Sequence, residues 1–318
     1  MLYKRFLCIT LALSMFLSVG CTSNKITNMG KVAEGTPIST SDDKLLVYTT
    51  FYTLYDFAKK IGKDKVKVVN LISANTEIHH YEPTVKDITK LKNADILIYN
   101  GVQLDGWVGK LVKSSNNKNL TQVEASKNVY LLESGNRQVN SKESVNYDPH
   151  VWLDPNNALE QMREIRDAFI KKDSQNKEYY EKNFGEMEQK VMKLDSDYYN
   201  GLMDCTKKDL IVTHGAFLYL CNAFGLSQVA VNDLDAESEP NPARIAKIID
   251  FIKENDVTTI FFEKSSGSKV ANVISKEAGV KIDTLSTLEE LNEDDLNAGR
   301  DYFYYMNENL KVLERALK

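Results

Sequence analysis

The segment "SQNKEYYEKNFGEMEQKVMKLDSDYYNGLMD" (residues 174–204) predicts one long helix, because it is rich in charged residues and shows no strand pattern. Ser174 is a favourable residue for the N-cap of this helix. At a rise of 1.5 Å per residue, roughly 30 helical residues span about 45 Å. This length is unusual for a helix inside the core of a single domain. The segment therefore predicts a rod that connects two lobes.

Short β-branched or aromatic runs alternate with helical patterns on both sides of this segment. The predicted strands are 45–50, 65–72, 95–101 and 128–133 before it, and 208–214, 227–234, 258–263 and 281–286 after it. Alternation of strands with helices indicates parallel sheets with helices on their faces. The predicted fold class is therefore α/β, with two lobes that are each a mostly parallel sheet flanked by helices, joined by one long rigid helix.

The amino-terminal sequence "MLYKRFLCITLALSMFLSVGC" has the features of an export signal. Lys4 and Arg5 precede an uncharged, mostly apolar run (6–19), and Gly20 and Cys21 follow it. The run is shorter than the about 20 apolar residues that span a membrane. A cysteine directly after the small residue predicts cleavage before Cys21 and lipidation of its thiol, as in bacterial lipoproteins. Ordinary secretion with an unmodified cysteine is the alternative.

The next twenty or so residues are polar and rich in Ser, Thr, Asn and Gly, a composition that does not bury enough apolar surface to fold. The predicted segments are a signal peptide (1–20), a flexible tether that starts at the lipidated cysteine (21–43), an N-terminal α/β lobe (44–173), the linking helix (174–204) and a C-terminal α/β lobe (205–318). We therefore expect an extracytoplasmic protein anchored to the cell membrane by lipid. Its Lys- and Asn-rich composition favours a Gram-positive cell surface.

Charge and cysteine content exclude some classes of protein. The net charge of −5 and the lack of a basic block argue against a nucleic-acid partner. After cleavage the chain would keep Cys21, Cys205 and Cys221, which is not the pattern of a disulfide scaffold. Cys205 and Cys221 either pair outside the cell or remain as two small buried thiols.

The four histidines occupy positions where a ligand would bind. His79 and His80 lie in the loop after the strand 65–72, and His214 lies at the carboxyl end of the strand 208–214. His150 lies in the turn-forming stretch "YDPHVWLDP". Ligands of parallel α/β sheets bind outside the carboxyl ends of the strands. A single histidine in a loop is more often a solvated side chain than a ligand, but together the histidines predict a shared site.

A carboxylate completes a candidate metal site. Glu263 ends the apolar strand "TTIFFE", where burial of its charge requires a partner. It either joins the histidines or faces water beside Lys264. Three imidazoles and one carboxylate suit Zn²⁺, whereas Mg²⁺ and Ca²⁺ prefer oxygen ligands and Mn²⁺ favours carboxylates. Asp148 and Asp154 are close enough in sequence to His150 to orient its ring.

These residues resemble the metal-specific solute-binding lipoproteins of bacterial ABC importers, the ZnuA/TroA-like family (cluster A-I). The resemblance extends from about residue 44 to residue 318. It rests on the motifs "HHYEPTVKDI" (79–88), "ADILIYNGVQLDGW" (94–107), "DPHVWLDP" (148–155), "VTHGAFLYL" (212–220), "ESEPNPARI" (237–245) and "IFFEKSSGSKVANVI" (260–274). The family architecture of two α/β lobes joined by a long helix agrees with the fold class predicted above.

The resemblance implies which side chains bind the metal. The family pattern of His, any residue, an aromatic residue, Glu and Pro selects His79, and leaves His80 either as a solvated neighbour or as an auxiliary donor. His150 matches the second ligand position. His214 matches the third position, where zinc-binding members carry His and manganese-binding members often carry Glu. Glu263 matches the fourth position. The implied ligand is therefore Zn²⁺.

The resemblance also implies a binding function without catalysis. The protein would capture Zn²⁺ in the cleft between its lobes and deliver it to a membrane permease driven by an ATPase, and we expect a monomer. The alternatives are a manganese-binding homologue, a surface adhesin, and a zinc hydrolase with three protein ligands and a water. The sequence contains no "HExxH" segment of the kind found in zinc proteases.

Overall fold

The computed structural model describes residues 44–73, 76, 78–134, 146–232, 241–263, 268–289 and 293–318. The predicted signal peptide, the lipidation of Cys21 and the tether lie outside these residues. Within the described part of the chain, no helix is both long enough and apolar enough to cross a membrane.

The first half of the described chain forms a parallel four-stranded sheet with helices. Its strands are β1 (Leu45–Thr49), β2 (Val66–Asn70), β3 (Ile96–Tyr99) and β4 (Thr121–Glu124), in the order β2-β1-β3-β4. Its helices are α1 (Tyr52–Gly62), α2 (Val85–Leu91) and α3 (Val108–Ser115). The inner face of α1 buries Leu54, Phe57, Ala58 and Ile61, the spacing of one helical face. A reciprocal capping box between Thr84 and Asp87 fixes the start of α2.

One predicted strand of this sheet is wrong. Residues 128–133 contain an isolated bridge from Glu133 to Tyr147, whereas the fourth strand is β4. The short polar sequence "TQVE" pairs with β3 and buries only Val123, so its strand pattern is weak. Residues 128–133 instead run towards the second half of the chain, where the backbone N–H of Leu132 donates to the hydroxyl of Tyr219 at 3.0 Å.

The second half repeats the topology of the first. Its strands are β5 (Asp209–His214), β6 (Ser227–Asn232), β7 (Thr259–Phe262) and β8 (Lys281–Thr284), all parallel and in the order β6-β5-β7-β8. The helices between the two sheets and in the second half are α4 (Pro155–Lys172), α5 (Lys177–Leu202), α6 (Leu218–Phe224), α7 (Pro242–Glu254), α8 (Lys269–Ala278), α9 (Glu293–Asn297) and α10 (Tyr302–Leu317). The predicted α/β fold class with two parallel sheets and a long helix is confirmed.

The long helix α5 is 26 residues long, or about 39 Å, and a 3-10 turn at Ser174–Asn176 precedes it. Side chains spaced three or four residues apart are buried along its whole length, from Tyr180 to Leu202. They pack against α1 and α4 of the first half and against α6 and α10 of the second half. The helix is therefore supported along its length and does not cross open solvent.

The C-terminal helix α10 returns to the first half of the chain. The hydroxyl of Tyr302 donates to the backbone oxygen of Trp152 at 2.8 Å, and the Tyr302 ring lies 5.0 Å from that of Phe57. The hydroxyl of Tyr52 donates to the backbone oxygen of Arg300 at 3.3 Å. Apolar residues of both halves belong to one continuous core, so large hinge motions would disrupt buried contacts.

Cys205 and Cys221 are two buried free thiols in the described structure. Burial raises the pKa of the Cys205 thiol and also raises that of Cys221. Of the two interpretations of these cysteines, the structure therefore matches the buried thiols and not the disulfide.

Two neighbouring tyrosines of α5 allow the packing of α5 against α10 to be tested. The buried hydroxyl of Tyr198 donates to the backbone oxygen of Met306 at 2.7 Å, whereas Tyr199 is 62% exposed. We expect Tyr198→Phe to lower the free energy of unfolding by about 1 kcal/mol, because a buried hydrogen bond is lost. Tyr199→Phe should leave it unchanged. Urea denaturation measures both, and equal values for the two variants would contradict this packing.

Candidate metal centre

Three imidazole rings surround a common point. The ring centroids of His79 and His150 are 5.2 Å apart, those of His79 and His214 are 5.4 Å apart, and those of His150 and His214 are 4.9 Å apart. His150 and His214 are almost completely buried, and His79 is partly buried. The structure thus brings together the three histidines that the sequence predicts as ligands.

The carboxylate of Glu289 lies among these rings. Its Oε1 is 2.7 Å from Nε2 of His150 and 3.3 Å from Nε2 of His79, and the two Nε2 atoms are themselves 3.3 Å apart. One ligand atom from each of the four side chains lies within 4.8 Å of the other three. The group therefore offers three nitrogen donors and one oxygen donor to a single ion.

The distances between donors can be compared with those around a tetrahedral zinc ion. Donors about 2.0–2.1 Å from zinc are about 3.3–3.4 Å from one another in a regular tetrahedron. Two of the distances above have this value, between His79 and His150 and between His79 and Glu289. The distance of 2.7 Å between Oε1 of Glu289 and Nε2 of His150 is shorter, so these two donors would have to move apart to bind Zn²⁺.

Three of the four donors lie at the end of a strand or in the segment that follows one. His79 lies in the segment after β2, and His214 is the last residue of β5. Glu289 lies in the segment after β8, and His150 precedes a 3-10 turn (Val151–Leu153) that leads into α4. As expected for parallel α/β sheets, the segments after the carboxyl ends of strands supply the candidate ligands.

Asp148 orients the His150 ring, as the sequence predicts. Its Oδ1 accepts from Nδ1 of His150 at 2.7 Å and from the backbone N–H of the same residue at 2.8 Å. This places the hydrogen on Nδ1 and leaves Nε2 for a metal. The predicted role of Asp154 is wrong, because its side chain accepts from the backbone N–H of Asn156 and caps α4.

A buried polar network holds the loop that carries His150. Asn100 donates to the backbone oxygen of Pro149 at 2.9 Å, and its Oδ1 accepts from Gln161 and from Ser126. The backbone N–H of Asn100 donates to the buried carboxylate of Asp105 at 2.7 Å. Burial raises the pKa of Asp105 to about 6, against the opposing effect of these hydrogen bonds. The loop is therefore fixed to the end of β3.

Glu263, the carboxylate that the sequence predicts as the fourth ligand, occupies a different place. Its Oε2 accepts from Nδ1 of His214 at 2.9 Å, and its Oε1 accepts from the hydroxyl of Thr287. The grouped side chains include Glu289 and not Glu263. The strand-end carboxylate of Glu263 holds the His214 ring through Nδ1, so the second ring nitrogen, Nε2, is the candidate donor of His214 to a metal.

None of the sequence motifs predicts Glu289 as a donor, although its position after a strand is one indication of this role. Two acidic residues, Glu289 and Glu290, follow the last strand of the second sheet in "DTLSTLEEL", a segment that belongs to none of the recognised motifs. The rule that ligands bind at the carboxyl ends of parallel strands applies to this strand as well.

His80 is exposed, while its neighbour His79 is only partly so. The grouped donors include His79 and not His80, in agreement with the register that the family pattern implies.

The charges in the centre compensate one another. Burial disfavours the charged imidazole, but Asp148 and Glu289 outweigh it and raise the pKa of His150 to about 10. Burial likewise opposes the charged form of His214, and the carboxylate of Glu263 raises its pKa. Burial would raise the pKa of Glu289, but hydrogen bonds from His150 and His79 hold it well below its usual value. Without metal the centre is a buried ionic cluster.

Known proteins similar to this chain include several zinc-binding proteins. A profile of the family described as "Zinc-uptake complex component A periplasmic" matches residues 47–316. The zinc-binding lipoprotein AdcA of Streptococcus pneumoniae is 37% identical over 282 residues, which cover 87% of this chain and 56% of AdcA. This chain thus spans little more than half the length of AdcA.

Two further comparisons cover nearly the whole of the proteins matched. The high-affinity zinc uptake system protein ZnuA of Bacillus subtilis is 36% identical over 322 residues, with 99% of both chains covered. The crystal structure of the Zn(II)-bound ZnuA-like domain of AdcA from S. pneumoniae superposes with a TM-score of 0.76 at 37% identity. It covers 86% of this chain and 99% of that domain.

The charge state of His150 predicts how stability depends on pH in the metal-free protein. Its pKa of about 10 exceeds the ordinary value of about 6.5, so its contribution is fully present below about pH 6.5 and is lost as the pH rises towards 10. Urea denaturation of metal-free protein should show this loss, and His150→Gln should show a smaller one. Equal losses in both proteins between pH 7 and 10 would contradict the assignment.

Proposed function

The chain belongs to the ZnuA family of zinc-uptake proteins, and on this premise we propose that it captures Zn²⁺ outside the cell and delivers it to the permease of an ABC-type importer. The family consists of metal-binding components of uptake systems and not of enzymes. The proposal rests above all on the grouping of three imidazoles and one carboxylate, those of His79, His150, His214 and Glu289, around one point.

We propose His79, His150, His214 and Glu289 as the metal ligands, with Glu289 in the place that the sequence assigned to Glu263. In this arrangement Glu263 does not bind the ion but orients His214 through its Nδ1. A metal-binding histidine commonly donates its second N–H to a carboxylate, which fixes the ring and strengthens its nitrogen as a donor. His150 with Asp148 and His214 with Glu263 both follow this pattern.

The proposed ion lies in the cleft between the two halves of the protein. His79 and His150 belong to the half with the first sheet, and His214 and Glu289 belong to the half with the second sheet. An ion bound by all four ties the halves together. Because α5 and α10 keep both halves in contact, we infer that release proceeds through movement of the ligand-bearing segments and only slight tilting of the halves.

The donor set supports zinc over manganese as the transported ion. Imidazole nitrogen suits Zn²⁺, whereas Mn²⁺ favours sites richer in carboxylate. The same set argues against a zinc hydrolase, which keeps a coordination position open for water. Four protein donors fill a tetrahedral shell.

We propose that the protein works as a lipid-anchored monomer on the outer face of the cell membrane, joined to it through Cys21. The AdcA relative is a zinc-binding lipoprotein, which supports the anchor, and the B. subtilis relative is a protein of a zinc uptake system. The partners of the proposed function are the permease in the membrane and its ATPase.

Adjacent histidines provide a matched test of the ligand assignment. His79→Ala should lower the affinity for Zn²⁺ by more than about 100-fold, because loss of even a hydrogen-bond partner of a ligand costs about 10- to 100-fold. His80→Ala should bind like the wild type, because His80 is exposed and lies outside the donor group. Competition with a chromophoric chelator measures both, and equal losses in the two variants would refute the assignment.

Zinc binding should release protons at neutral pH. With a pKa of about 10, His150 carries a proton at pH 7 that the metal must displace, so affinity should fall as the pH falls. Calorimetric titrations at pH 7 in two buffers with different ionisation enthalpies should give different heats. Identical heats in both buffers would mean that binding displaces no proton, against this prediction.

A further inference from the structure

We propose that Thr287 is a positioning residue that holds three of the four ligands in register and thereby sets how firmly zinc is retained. The inference rests on the proposed function of zinc capture. Thr287 is buried, and its hydrogen bonds go to Glu263 and Trp152, which in turn contact ligands. Thr287 is connected to three different ligands. Its hydroxyl and its carbonyl make hydrogen bonds to residues that contact His214 and His150, and the backbone that follows it carries Glu289.

The hydroxyl of Thr287 leads to His214. It donates to Oε1 of Glu263, because an ionised carboxylate only accepts hydrogen bonds. Oε2 of the same carboxylate accepts from Nδ1 of His214 at 2.9 Å. Both oxygens of Glu263 are thereby engaged, so its rotation about the last side-chain bond is restricted. The orientation of the His214 ring thus depends on the threonine hydroxyl.

The carbonyl of Thr287 leads to His150. It accepts from the indole Nε1 of Trp152 at 2.6 Å. Trp152 is fully buried, follows His150 by two residues, and has its ring 5.5 Å from the imidazole. This hydrogen bond joins the segment after β8 to the 3-10 turn that begins beside His150. It therefore connects ligand-bearing segments from the two halves of the chain.

The residues after Thr287 lead to Glu289. Leu288 has a φ of 60°, a left-handed conformation that is unfavourable for a leucine side chain. Its carbonyl accepts from the hydroxyl of Thr53 at 2.6 Å, and its side chain is buried. Such a conformation persists only where its surroundings hold it, here by hydrogen bonds on two successive carbonyls. The turn directs Glu289 towards the histidines.

Thr287→Val keeps the shape of the side chain and removes its hydroxyl, whereas Thr287→Ser keeps the hydroxyl and removes the methyl group, so the two variants separate the effects of hydroxyl and shape. In the full chain, we expect Thr287→Val to lower the Zn²⁺ affinity about 10- to 100-fold, the loss typical for a partner of a ligand, and to speed zinc release to a chelator. Thr287→Ser should restore both. Thr213→Val is the matched control, because Thr213 is buried next to His214 but its hydroxyl has no hydrogen-bond partner in the described structure.

The absorption spectrum of bound Co²⁺ distinguishes positioning from a general effect on stability. A displaced His214 or Glu289 changes the ligand field, so Thr287→Val should alter the visible bands, while Thr287→Ser and Thr213→Val should not. Wild-type affinity and spectrum in Thr287→Val would overturn the inference. Equal losses in Thr287→Val and Thr287→Ser would overturn it too, because the hydroxyl would not be responsible.

A second variant tests the same link from its other end should Thr287→Val fail to fold. The amide of Glu263→Gln has one acceptor oxygen where the carboxylate has two, so zinc affinity should fall and the Co²⁺ spectrum should change. Unchanged values in this variant would overturn the inference. If the wild-type protein itself does not bind Zn²⁺, the proposed function fails. Zinc binding by the wild type with unaltered variants refutes only the role of Thr287.

Discussion

Buried imidazoles in this fold are each paired with buried carboxylates, and this pairing determines how the candidate metal centre is built. Three imidazole rings lie about 5 Å apart in a place with little access to water. Without partners, such a cluster would lose the hydration of its polar and charged atoms and destabilise the fold. Asp148, Glu263 and Glu289 supply the compensating charge. The same pairing engages Nδ1 of both His150 and His214, so that Nε2 is the nitrogen of each ring that the proposed zinc site would use.

The fold provides these partners by using one topology twice. Each half is a parallel sheet of four strands with the same order, and the ligand-bearing segments follow strands of both sheets. The helices α5 and α10 join the halves through a common core, which keeps the two sets of segments at a fixed distance. A rigid core with short ligand-bearing segments fits the proposed function of binding an ion and releasing it. A local movement of these segments would change the positions of the donor atoms without disturbing the core.

Glu263 and Glu289 show that a glutamate within a family motif need not be the one that lies among the histidines. Glu263 ends a strongly apolar strand, and the family resemblance assigned it to the metal. In the fold, its carboxylate reaches the back nitrogen of His214 and the hydroxyl of Thr287. Glu289 belongs to an inconspicuous segment after β8, yet its carboxylate lies beside His79 and His150. Of these two acidic residues that follow neighbouring strands, Glu263 orients a histidine ring and Glu289 is the proposed metal ligand.

Local periodicity and the positions of strand ends were enough to predict the α/β class, the long helix and the grouping of His79, His150 and His214, and the structure brings these three side chains together. The same signals do not predict the fourth strand of the first sheet, since β4 is short and polar and is stabilised by pairing with β3. The preference for Glu289 over Glu263 as the proposed fourth donor comes from the packed fold. That choice depends on which carboxylate the packing of the two halves brings to Nε2 rather than to Nδ1 of a histidine, and contacts between residues so distant in sequence leave no local pattern to read.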